Sequence, residues 1–395
     1  MNRIIGLDVC KSSVVGCLLT FRPDDPQSYF YDAKFHDLPA NISGVQQLLE
    51  LKPDIAIMEP TGTNYSKLWV THLNNADVEV RLVDHVKLRG FRKNYLALPD
   101  KNDSADALAL ACYGWDYQNN LGRFLKTRIP AIAKLRDFCY RLEHLNRLQN
   151  PIINRLKQDL SWQFPEVAGV HSVRRGNLPP LLFAWIAGEE ISARYENLYS
   201  NSVGLGLTEI TRSAAQRLCQ IAREEWLIEQ EIGSILNQSR FLPYRQVFQQ
   251  QFGFGIRTEA IILSQIYPLE NFLAEDGQPE VRIRPGRESG KPTKRHISRR
   301  KFEKALGVAP AESSSGDRVT KRTAGGSELC RKAMWRWLFT RIEVKRNRPK
   351  NHIGQRLGEK LDREKQQKRP IKLIRSRCCG EAARILFYEL VKCLQ

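Results

Sequence analysis

The chain of 395 residues has no CxxC pair, no Cys/His cluster at metal-ligand spacing, and no apolar run of about 18 residues. The first two absences argue against a structural zinc site. The third, with no long apolar core at the N-terminus, excludes a signal peptide and a membrane span and leads to the expectation of an intracellular protein. Nine cysteines are present, at 10, 17, 112, 139, 219, 330, 378, 379 and 393. Cys10, Cys17, Cys112 and Cys219 lie in apolar runs and read as small buried hydrophobes in a reducing compartment.

Positive charge is abundant, and it is unevenly placed. Sixty-two Lys and Arg against 43 Asp and Glu give +19. Residues 1–125 come to roughly −2 and residues 126–280 to about zero, so roughly +21 lies in residues 281–395. A near-neutral front and a strongly basic back point to a polyanion partner, with nucleic acid first; a solubility tail is the alternative.

The stretch KNDSADALAL, Lys101 to Leu110, opens an alanine-rich helix. Spacing i, i+3 puts Asp103 and Asp106 on one face, and Asn102 or Asp103 caps the first turn. Two acids on one turn repel, so the pair costs stability unless a cation sits between them; a capped, solvated helix start is the plainer explanation. Upstream, RIIGLDV (Arg3 to Val9), SVVGCLLTF (Ser13 to Phe21) and Tyr29 to His36 are expected strands, the first two joined by a turn at Cys10 to Ser12. Asp8 is then a carboxylate on a buried strand, expensive unless paired or metal-bound. Ile42 to Leu51 has helical spacing. Asp54 to Met58 is a fourth strand ending on Glu59-Pro60-Thr61-Gly62, Asn64 to Ala76 a helix, Val78 to Asp84 a fifth strand, and His85 to Tyr95 a basic segment. Glu59 thus sits at a strand's C-terminal edge, where open α/β sheets bind ligands. This order of elements resembles the RNase H-like fold. That resemblance implies that Asp8, Glu59, Asp103 and Asp106 converge on Mg²⁺, as hard oxygen donors that leave room for phosphate and water.

Beyond residue 129 the period is helical. Leu135, Phe138, Leu142, Leu145, Leu148, Ile152, Leu156 and Leu160 recur at three and four, with Pro151 expected to kink or split the helix. A second long stripe runs from Leu207 to Leu236, interrupted by Glu225, after a loop-rich Glu166 to Gly206. The two form a helical hairpin or coiled coil, serving either as a self-packing spacer or as a dimerisation arm. In FGFGIRTEAII, Gly253 and Gly255 precede Thr258, a candidate cap. The pair reads either as a plain tight turn or as a helix-hairpin-helix-like element that approaches a DNA backbone. Gly277 to Arg300 reads as an inserted basic loop that orders on nucleic acid. Ser313, Ser314 and Ser315 stand before Gly316, with Arg318, Lys321 and Arg322 after it. A serine ringed by cations suits attack on a phosphodiester, and a flexible polar loop is the alternative. Trp335, Trp337 and Phe339 read as core. The chain from Arg341 reads as a basic phosphate-tracking tail, with a last helix from Glu381 to Leu394.

GLD (Gly6 to Asp8), MEPTG (Met58 to Gly62), KNDSADA, the long-helix middle, GFGIRTEA and GVAP…SSSG…AGG…LCRKA together resemble, in order, the DEDD transposases of the one-ten family of bacterial insertion sequences, which include Piv-type invertases. The resemblance spans about residues 3–340. It implies an α/β plus α chain: an RNase H-like (RuvC-like) domain at 1–125, a coiled-coil spacer at 126–245, a mostly helical transposase domain at 246–345 and a basic tail at 346–395. It implies Mg²⁺ on Asp8, Glu59, Asp103 and Asp106, and a phosphoserine link to DNA from Ser315, which directly precedes a glycine. Gly253, Gly255, Arg318, Lys321 and Arg322 would contact nucleic acid. Implied partners are donor and target DNA, a structured bridge RNA and further copies in a dimer or tetramer with a composite site, in the cytoplasm at the nucleoid. A RuvC-like endonuclease using the four acids and water, and a binding protein without catalysis, are the competing functions.

Overall fold

The computed structural model describes residues 3–60, 64–98, 102–125, 128–286, 290–315, 318–323 and 325–394; at 312–315 and 318–322 it describes the backbone alone. The chain divides into two compact units, Met1–Ile129 and Pro130–Gln395.

In the first unit the elements are β1 (Ile4–Val9), β2 (Ser13–Leu19), α1 (Pro26–Asp32), β3 (Phe35–Pro39), α2 (Ile42–Glu50), β4 (Ile55–Met58), α3 (Tyr65–Asn75), β5 (Glu79–Leu82), α4 (His85–Gly90) and α5 (Asp103–Asp116). The strands form one sheet in the order β3-β2-β1-β4-β5. β1, β2 and β3 run as an antiparallel meander, while β4 pairs parallel to β1 and β5 parallel to β4. A mixed sheet of this order is consistent with an RNase H-like domain. Alternation along β1 sends Ile4 into one core layer and Ile5, Leu7 and Val9 into the other. The first layer is roofed by α5, whose residues 105 and 107–114 are all buried. The expected third strand is displaced. Asp25 accepts from the N–H groups of Gln27 and Ser28 and Pro26 opens the turn, so Pro26–Asp32 is helical and β3 starts at Phe35.

α5 packs against β1 through a missing side chain. A Cβ on Gly6 would lie 2.0 Å from the Ala107 carbonyl oxygen and 2.4 Å from the Ala111 nitrogen. At the other end of the contact, a Cβ on Gly114 would meet Ile4 and Ile57 at 2.8 and 2.6 Å. Strand and helix therefore run in opposite directions, and the N-terminus of α5 lies beside the C-terminal end of β1.

The second unit is mainly helical. α6 (Pro130–Gln163), α7 (Pro165–Ala168), α8 (Leu181–Ile186), α9 (Ala193–Ser200) and α10 (Glu209–Leu236) come first. α6 and α10 are antiparallel: Lys134 pairs with Glu231 and Arg141 with Glu224, both at 2.7 Å. Glu225, which breaks the apolar stripe of α10, is 8% exposed and accepts from Arg257 and Gln149 at 3.0 Å each. Two expectations are corrected here. Pro151 does not split α6, which is one helix of 34 residues with the partly buried Ile152 and Ile153 packed against the core just beyond the proline. The region 166–206 holds three short helices, because Leu182, Trp185, Ile186 and Tyr195 bury against α6 and α10.

The remainder comprises α11 (Leu242–Gln246), α12 (Ile256–Ile266), β6 (Val281–Pro285), β7 (Pro292–His296), α13 (Ile297–Ala305), β8 (Pro310–Ser315), β9 (Arg318–Thr323), α14 (Glu328–Trp337), α15 (His352–Gln366) and α16 (Ile371–Leu394). The supposed basic loop at 277–300 contains an antiparallel hairpin, β6–β7, and the start of α13. The supposed tail is also part of the fold. Ile353, Leu357 and Leu361 of α15 and Ile374, Leu386, Phe387 and Leu390 of α16 are buried, and the Phe387 ring lies 5.4 Å from that of Phe302 on α13. Trp337 is core, whereas Phe339 lies on the surface with the Arg375 guanidinium 4.8 Å from its ring centroid. Among the described residues no helix is long and apolar enough to cross a membrane.

Candidate active site

Asp8 is the fifth residue of β1 and shares a face with Ile4 and Gly6, the face that meets α5. Gly6 lies against residues 107–111 of α5. Two residues further along the strand, about 7 Å, the antiparallel helix has come back by about five residues, to the turn that holds Asp103 and Asp106. β4 pairs in parallel with Leu7 opposite Met58, so Glu59 follows at the level of Asp8. Ile55 and Ile57 face α5, and the same alternation sets Glu59 on that side. Backbone register therefore brings all four acids to one end and one face of the unit. Thr61 and Gly62 of MEPTG and Lys101 of KNDSADA lie outside the described residues.

The helix start is built as its sequence suggests. Asn102 is the cap, its side-chain oxygen accepting from the Ala105 N–H at 2.7 Å. Two more groups lie beside these acids: Arg92, and Cys10, which was expected to be a small buried hydrophobe but is half-buried with its thiol on a carboxylate. The Cys10 thiol donates to Asp103 Oδ2 at 3.3 Å. Burial, that hydrogen bond and the negative charges of Asp103, Asp8 and Asp37 push the thiol up to about 11. Arg92 Nε lies 2.7 Å from Asp106 Oδ1, with the two side chains 8% and 17% exposed. The signal for Cys10 was its place two residues after Asp8 on the same face. Arg92 carried none beyond lying in a basic segment.

Four carboxylates are the donor chemistry that Mg²⁺ selects. Among the described residues no three His, Cys, Asp or Glu side chains stand close enough to form a metal cage. Asp106 is balanced by the Arg92 guanidinium and Asp103 by a thiol hydrogen. The residues fit the ion by type, and the backbone brings them to one end of the sheet without closing them into a cage.

In the second unit Ser313, Ser314 and Ser315 are the last residues of β8, and Ser315 stands in register with Arg318 across the hairpin; Lys321 and Arg322 pair with Glu312 and Ala311. The loop expected there is thus a β-hairpin arm. Gly316 and the side chains of Ser313–Ser315, Arg318, Lys321 and Arg322 lie outside the described residues. Gly253 takes φ +60° at the end of a π-helical turn, 247–252, and open space surrounds the Cβ positions of Gly253 and Gly255. α12 begins directly after Gly255, which is its cap position, so Thr258 lies inside the first turn and is not the cap. Arg257 and Glu259 from this turn are engaged by Glu225, Glu229 and Arg245.

The sheet order is consistent with an RNase H-like α/β unit whose acids lie towards one end of the sheet. Residues 5–165, less than half of the chain, match the family model of IS110-type DEDD transposases, described as a transposase. That likeness points to DNA transposition and recombination. No curated protein matches the chain.

Proposed function

We propose that the protein is an Mg²⁺-dependent transposase and site-specific recombinase that exchanges DNA strands through a phosphoserine intermediate. The observation that carries this reading is the register placement of Asp8, Glu59, Asp103 and Asp106 on one face of the sheet edge, inside the span matched by the family. These four acids hold the ion, which supplies charge neutralisation at the reacting phosphate. Ser315 is the nucleophile: its Oγ–P bond forms as a strand P–O bond breaks, and a strand hydroxyl later reverses the exchange. Bond type is conserved, so no external energy source is needed. Arg318, Lys321 and Arg322 hold phosphates, and Gly253 and Gly255 let a DNA backbone approach.

In this reading residues 1–125 form the catalytic domain, 126–245 a coiled-coil spacer, 246–345 the transposase domain, and 346–395 extend its basic surface. The protein works as a dimer or tetramer at the nucleoid, guided to target and donor DNA by a structured RNA. In such a system sequence choice lies in base pairing. The test is a denaturing gel of reactions with DNA from the element's ends. Wild type gives a covalent protein–DNA adduct, and Ser315→Ala and Asp8→Asn give none. Cleavage without any adduct would replace this reading with a water-using, RuvC-like endonuclease.

A further inference from the structure

The β6–β7 hairpin has no internal reason to be stable. Its ten strand residues are exposed except for half-buried His296, and an isolated two-stranded ribbon is marginal in water. Its register makes matters worse. Arg282, although paired with Glu280 at 2.6 Å, stands directly across from Arg295, and Arg284, two residues on, shares their face. Like charges directly opposite repel. The hairpin, α13 and Arg384 of α16 line a cleft of about 860 Å³, and among the described residues of its wall Glu303 is the one carboxylate. Glu303 is taken up by Arg384 and Arg299, at 2.9 and 3.4 Å. Arg284, Lys294, Arg295 and Arg300 line the same cleft, are exposed, and have no acidic partner among the described residues.

We infer that this cleft is a binding site for a polynucleotide backbone, held by Arg284, Lys294, Arg295 and Arg300 through its phosphates without reading bases. A concave wall that carries these four cations fits a linear polyanion, and phosphates bound beside the facing arginines offset their repulsion. The cleft wall includes Pro310 and Ala311, the first residues of β8. Ser315 is four residues further along that strand, about 13 Å. A backbone seated in the cleft therefore runs within a few nucleotides of the serine-bearing tip; this placement rests on the role proposed for Ser315, whereas binding in the cleft does not.

The test is salt-dependent binding of the full chain without Mg²⁺, read by fluorescence anisotropy against a 30-base-pair DNA, a single-stranded DNA and a transfer RNA. Replacing Arg284, Lys294, Arg295 and Arg300 together by Gln is expected to reduce the slope of log Kd against log salt by about 3 to 4, at about 0.7–0.9 per phosphate contact. The free variant should melt no lower than wild type, since facing charges are removed. Arg284→Lys, Arg295→Lys and Arg300→Lys together keep the charge and should keep the slope. The nucleic acid whose slope falls identifies the bound strand. An unchanged slope on all three probes overturns the site, as does a loss of slope in the lysine variant. Neither outcome depends on adduct formation, so the site and the proposed chemistry fail separately.

Discussion

Replacing Gly6 by alanine tests the contact that sets the acids together. The new Cβ would lie 2.0 Å from the Ala107 carbonyl oxygen and 2.4 Å from the Ala111 nitrogen, both backbone atoms. Reaching even 3.0 Å requires α5 to retreat by about 1 Å. Overpacking of this kind costs about 1–3 kcal/mol, with the upper end expected where the obstruction is backbone. The same retreat moves Asp103 and Asp106 away from Asp8, and a misplacement of about 1 Å costs about 10²-fold in rate. The control is Gly16→Ala on the neighbouring strand, whose Cβ would meet only the ends of Ile5 and Leu7 at 3.3 Å. Urea denaturation of both variants is expected to place Gly6→Ala well below Gly16→Ala in midpoint, with strand exchange lost only in the former. Equal midpoints and equal activity would refute the close packing of β1 on α5, and with it the placement of the acids.

Two further outcomes follow from the groups around the carboxylates. Arg92→Met should cost about 1–3 kcal/mol, less than a fully buried pair because Asp106 is partly exposed, and Mg²⁺ should raise the variant's melting temperature more than that of wild type; an equal or smaller response in the variant would contradict the role of Arg92 as the local counter-ion. Cys10, pushed from 9.0 up to about 11, should carry about a hundredfold less thiolate at pH 8 than an ordinary cysteine, and Asp103→Asn should speed its alkylation. Because the folded value is raised, the thiol's stabilisation is present below pH 9 and lost as pH climbs towards 11; no fall in urea midpoint over that window would argue against the Cys10–Asp103 contact.

Much of the first unit was legible because its signals are local. Apolar alternation marks β1 and β2, Asn102 caps α5, and the acids fall at strand ends and in one helical turn. The misreadings arose where a distant partner or a stronger local signal decided. Tyr29 to His36 alternates as a strand does, yet the Asp25 cap and Pro26 turn its start into a helix. Cys10 and Asp103 are 93 residues apart, so their contact has no sequence signature. The last 50 residues are so rich in Lys and Arg that charge hid the stripe Ile353, Leu357, Leu361, which buries one face of α15. For Ser315 the sequence reached a residue type and a glycine after it, and the fold adds that the residue ends a strand.

The burial of α16 has a consequence for synthesis. The acid-bearing unit is complete once residue 129 has left the ribosome, whereas α13 waits for Phe387 and Arg384, more than eighty residues downstream, to cover Phe302 and neutralise Glu303. A chain cut short by a late stop codon would carry the carboxylates on a finished sheet, but its serine arm would stand on an unclosed core.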